Sequence, residues 1–245
     1  MDWELSLKGD AADLEILSQS FTDPAFSISK LGDEFVLTSS EFDVMNDARQ
    51  VRDRAKALLD LVNGAATLAV ESRTPVAIKG VHRRYADGRR DVAMFAEIEG
   101  RCRVLASASV AHLDGTVETF RPGDLIRDWV KLASTDQAVA QALSALSSRP
   151  ADWVNLYRLL EIVQSECRGS NKIVAKGWAT KKAVDLFKHT ANSPGATGID
   201  SRHGKQSTSP PRNPMPLPEA RSLVVCIVQA WLREKVASSR GSGTL

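Results

Sequence analysis

Arg202 and His203 stand side by side and are followed by Gly204. A guanidinium is a permanent cation, whereas an imidazole titrates near neutral pH. The glycine lets the backbone come close to whatever the imidazole touches. Such a pair is a minimal set for opening a phosphodiester without a metal. The imidazole would move the proton of a ribose hydroxyl, and the guanidinium would offset charge building on the phosphate. The same residues can also serve architecture, with Arg202 pairing with Asp200 or capping helix carbonyls. Nearby in sequence are other groups suited to an anion. Lys181, Lys182 and Lys188 lie within a helix-like segment, His189 and Asn192 close it, and Lys205 follows the pair. His189 has an architectural reading as well, because a helix dipole favours a cationic imidazole at the C-terminal end.

The stretch that must position Arg202 and His203, residues 192–217, is dense in Gly, Pro, Ser and charge. Proline removes backbone donors and glycine adds backbone entropy, so neither a long helix nor a central strand forms there. Loops of this length inside compact domains are functional or disordered. Pro210, Pro211, Pro214, Pro216 and Pro218 either stiffen the return of the chain or present a short extended peptide to a partner.

Signatures of other chemistries are missing. The sequence holds no GxxxxGK[ST], no GxGxxG after a strand, no HExxH, no CxxC and no serine-hydrolase elbow. No metal site and no cofactor is implied. His82 and His112 fall on or beside strand-like segments and read as ordinary side chains. Cys102, Cys167 and Cys226 are odd in number and far apart, each on an apolar face, which predicts core thiols in a reducing cytoplasm. No apolar run is long enough to span a bilayer, and the first residues lack the pattern of a signal peptide. Residues 151–245 carry 14 Lys and Arg against 7 Asp and Glu, while residues 1–150 carry 18 against 23. An acidic front and a basic back can accompany an anionic partner.

Periodicity predicts an α+β protein in two parts. In the first, residues 1–121, a mostly antiparallel sheet carries two helices. Strands are expected at 3–7, 26–29, 35–38, 67–70, 76–85, 90–98, 101–110 and 116–120, the later ones as a meander with one solvated face. Helices are expected at 10–19 and 46–62, with Asn63-Gly64 as the stop of the second. Arg83, Arg84, Arg89, Arg90, Arg101 and Arg103 cluster around the predicted hairpins with Asp87, Asp91, Glu97 and Glu99 interleaved, which fits cross-strand ion pairs or a phosphate-positioning surface. The second part, 122–236, reads as an all-α bundle with helices at 122–132, 135–146, 153–167, 180–190 and 218–236 and a flexible tail at 237–245. Trp153, Trp178 and Trp231 read as core or interface anchors.

A helical bundle bearing an Arg/His constellation near its later helices resembles the HEPN superfamily (higher eukaryote and prokaryote nucleotide-binding domains) over residues 135–236. The Arg-then-polar start of that family's motif is present at Arg202, and His203 follows it directly. The resemblance implies a metal-independent ribonuclease, or an RNA-binding relative, of a bacterial defence or toxin system, and it implies a homodimer. Against it stands a second expectation: a non-enzymatic, cytoplasmic interaction module of bacterial type that holds a protein partner or a second copy of itself. RNA is then a further candidate partner.

Overall fold

The computed structural model describes residues 2–84, 90–94, 108–111, 117–148, 151–202 and 209–241. The protein is α+β, an antiparallel sheet with helices followed by a helical region. It divides into two compact units, 1–131 and 132–245. The division falls inside a helix, α3 (Pro122–Ala133).

In the first unit a six-stranded sheet is built from β1 (Asp2–Lys8), β2 (Thr22–Asp23), β3 (Phe26–Leu31), β4 (Glu34–Ser39), β5 (Ala77–Arg84) and β6 (Arg90–Met94). The order is β2-β3-β4-β1-β5-β6, antiparallel throughout, rather than a simple meander. The first strand is therefore central, with Leu5 opposite Leu37 on one side and Val81 on the other. Trp3, Leu5 and Leu7 are buried, and so is Ser6 between them. Both faces of β1 are thus covered, and the polar Ser6 is accommodated by a partner: its Oγ lies 3.0 Å from Nε2 of the buried His82. A separate pair, β7 (Ala108–Ala111) with β8 (Val117–Phe120), forms the second sheet. Cys102, His112, Arg89, Arg101 and Arg103 lie outside the described residues.

Two helices complete this sheet. Asp10 caps α1 (Ala11–Ser20) by accepting from the amides of Ala12 and Asp13. Asp47 does the same for α2 (Ala48–Ala69) through the amide of Arg49. The second helix does not stop at Asn63-Gly64, and residues 67–70 are its last turn and C-cap instead of a strand. The reason lies across the fold. The Asn63 amide donates to the Val76 carbonyl at 2.9 Å and accepts from the Val76 amide at 2.8 Å. A residue whose side chain serves another segment has no need to end its own helix. Buried Val51, Ala55, Leu59 and Val62 form one apolar stripe along the helix.

The second unit is helical: α4 (Gln137–Ser148), α5 (Trp153–Glu166), α6 (Ser170–Ala175), α7 (Lys181–Ala191), the short α8 (Pro194–Thr197) and α9 (Leu217–Gly241). Asp136, Asp152 and Thr180 cap α4, α5 and α7. The turn into α6 places Arg168 and Gly169 at φ 59° and 120°, and the Gly169 amide closes on the Gln164 carbonyl at 2.7 Å. Two expectations are corrected here. Residues 237–241 continue α9 instead of fraying, and residues 194–200 hold a helical turn and a 3-10 turn inside the predicted loop. Nor is Cys226 a core thiol: it is exposed on α9, while Cys167 is half-buried. No helix among the described residues is long and apolar enough to cross a membrane.

Replacing Asn63 by Ala strands the amide and carbonyl of Val76 in the interior. The expected loss is about 2–4 kcal/mol in urea unfolding with an unchanged denaturant slope. A loss under about 0.5 kcal/mol would mean that water replaces both bonds.

Candidate functional site

The end of α7 is where the predicted site residues come closest together. A helix leaves its last carbonyls without intrahelical partners, and here the following segment supplies them. The Arg202 amide donates to the Ala191 carbonyl at 3.0 Å, and the Ser193 hydroxyl donates to that of His189 at 2.7 Å. The Thr190 hydroxyl accepts from the amide of buried Met215 at 3.1 Å. Both ends of the long loop are therefore fastened to one helical turn.

The fastening places Arg202 on α5. Its guanidinium carbon lies 4.2 Å from the ring centre of Tyr157, and its Nη2 donates to Glu161 Oε1 at 2.6 Å. Tyr157 and Glu161 are four residues apart and so share one helix face. Asn192, the C-cap of α7, donates to the Tyr157 hydroxyl at 3.4 Å. Beneath them Tyr157 stacks on Phe187, which also meets Trp153, each pair with ring centres 5.9 Å apart. Arg202 and Asn192 thus converge on Tyr157. The carboxylate that engages Arg202 is Glu161, where sequence proximity had pointed to Asp200. Spacing along α5 is the signal that could have found Tyr157 and Glu161; their proximity to Arg202 is not legible from sequence.

The other candidates are distributed elsewhere. His189 is exposed, and its Nε2 lies 2.9 Å from the Ser209 carbonyl oxygen. Lys188 donates to Ser170 Oγ at 2.7 Å, which ties α7 to the start of α6. Lys181 pairs with Asp185, and Lys182 is exposed. These two lie at the far end of α7, about 15 Å from Asn192 at the rise of a helix. His203 and Lys205 lie outside the described residues. Of the tryptophans expected as anchors, Trp153 and Trp231 are buried, and Trp178 is half-buried beneath the Lys176 ammonium. Among the described residues no cluster of His, Cys, Asp and Glu is placed to hold a metal ion.

A second electrostatic centre holds the helices together. Lys235 of α9 reaches Asp136 and Glu166, each at 2.5 Å, with its ammonium 5.2 Å from the Trp231 ring centre. Burial works against ionisation of Asp136, yet the Lys235 ammonium and the amides of Val139 and Ala138 outweigh it and hold the carboxyl below its ordinary value. Burial likewise works against the Lys235 charge, and bonding to the two carboxylates outweighs it and raises the amine. Burial also pushes the Cys167 thiol up, which keeps it a poor nucleophile. Between α4 and α5 opens a groove of about 480 Å³, lined by Gln137, Ala140, Gln141, Ser144, Arg158 and Ile162 among others.

Comparison with protein families, curated proteins and solved structures found no match to this chain.

Two outcomes follow from these contacts. Arg202→Ala is expected to cost about 1–2 kcal/mol in thermal or urea unfolding. Arg202→Lys should recover less than half of that, because a lysine cannot stack a planar fork on Tyr157. Lys235→Met is expected to cost about 1–2 kcal/mol at pH 7. A carboxyl depressed in the fold contributes fully above its unfolded value and loses that contribution as pH falls through its folded one. The variant's stability curve should therefore be flatter than that of the parent below about pH 4. An equally steep acid limb would show that other carboxylates control it.

Proposed function

We propose that this chain is a non-enzymatic interaction module that binds a second copy of itself through the outer face of α4. The observation that carries the first half is the engagement of Arg202 by Glu161 and Tyr157. A guanidinium committed to a neighbouring carboxylate is poorly disposed to meet charge developing on a phosphate, and its contacts are those of a fastening.

The second half rests on α4 itself. Residues 137–148 contain no charged side chain, in a chain that is 25% charged. Among the described side chains of this helix the exposed ones are Gln137 and Gln141, and half-buried Ala140, Ser144 and Ala145 lie beside them on the groove. Across a two-fold axis a patch meets its own copy, so a charge would face a like charge. An uncharged helix avoids that repulsion, and glutamine amides complement themselves by donating and accepting. Small residues let the two helices approach closely. Arg158 stands at the rim, where a charge remains solvated.

One other reading, supported by the polar Asn192 lying beside Arg202, is a HEPN-like metal-independent ribonuclease or RNA-binding protein using Arg202 and His203.

Light scattering should give a mass of twice 26.6 kDa at tens of micromolar, and Ala140→Arg should return it to the single-chain value without loss of helicity. A monomeric parent, or a variant that still dimerises, overturns the assignment of α4. Incubation with mixed RNA in EDTA should leave the RNA intact. Cleavage that is lost in His203→Ala would establish the ribonuclease reading instead.

A further inference from the structure

From residue 168 to residue 191 the chain carries six cationic side chains, Arg168, Lys172, Lys176, Lys181, Lys182 and Lys188, against a single carboxylate, Asp185. The fold brings the two helices that carry most of them into contact at one point. Lys188 Nζ on Ser170 Oγ brings the end of α7 to the start of α6. Lys181 is seven residues before Lys188 and so shares its face of α7, while α6 carries Lys172 and is capped by Lys176. Lys176 is held by Glu234 and Lys181 by Asp185. Among the described residues, Arg168, Lys172 and Lys182 are exposed and have no carboxylate partner. Trp178 lies in the turn between the two helices, half-buried, with the Lys176 ammonium 5.3 Å from its ring centre.

A helical hairpin whose exposed cations outnumber their carboxylate partners is a surface for a polyanion. We infer that the α6–α7 hairpin binds the phosphate backbone of single-stranded nucleic acid, with Arg168, Lys172 and Lys182 on phosphates and Trp178 offering a ring to one base. The hairpin is short, with α7 only about 16 Å long at the rise of a helix. That suits a few nucleotides of one strand, and an aromatic ring at the turn serves bases that a duplex would keep stacked. This site is separate from the Arg202 cluster and from the face of α4, and it needs neither catalysis nor self-association.

The test is fluorescence anisotropy of a labelled mixed-sequence RNA single strand with the full-length chain over a range of salt. The Lys172→Gln/Lys182→Gln double variant is compared with Arg49→Gln/Lys56→Gln, which removes the same charge from exposed positions on α2. Removing two phosphate contacts should lower the logarithmic salt slope by about 1.4. It should weaken binding about tenfold at low salt, while the α2 variant binds like the parent. Equal losses in both variants, or no binding by the parent at low salt, overturn the site. A duplex of the same sequence that binds as tightly and suffers the same loss overturns the single-strand assignment. Binding to anionic vesicles with none to RNA overturns the nucleic-acid assignment.

Discussion

The last turn of α7 must find partners for carbonyls that the helix itself cannot satisfy, and the flanks of the long loop supply them. Arg202 donates to Ala191, Ser193 donates to His189, and Met215 donates to the Thr190 side chain. These bonds close both ends of the loop on one point. With its ends held, the loop can lay Arg202 against Tyr157 and Glu161 and return to α9 with Met215 buried.

The sheet unit rests on a comparable economy of polar groups. A central strand has no free edge, so every polar side chain that points into the layers beside it requires a partner. Ser6 has His82, and Val76 has Asn63 on both its amide and its carbonyl. The second bond pair has a consequence for the helix that carries it. Asn63 and Gly64 are residues that end helices elsewhere, yet α2 runs six residues past Asn63 because that side chain is already committed across the fold.

In the helical unit, charge does two different things. Where carboxylates are available, cations become clasps, as Lys235 does between Asp136 and Glu166, Lys176 with Glu234 and Arg202 with Glu161. Along α6 and α7 the carboxylates run out, and the remaining cations face solvent. The face of α4 has neither sign. A clasp, a basic surface and an uncharged surface thus occur within one small unit.

Local pattern was enough to determine the α+β class and to place α1, α4, α5, α7 and α9 along the chain. Caps and stripes depend on residues within four positions of one another, so a linear reading contains them. It also isolated Arg202, Asn192, Lys181, Lys182, Lys188 and His189 as candidates, because residue type alone carries their chemistry. What it could not contain is pairing between distant segments. The centrality of β1, the continuation of α2 through Asn63, and the commitment of Arg202 to Glu161 instead of Asp200 each depend on a partner 13 or more positions away. Such partners are chosen by how layers pack and which buried polar groups need satisfying, and those are properties of the tertiary structure.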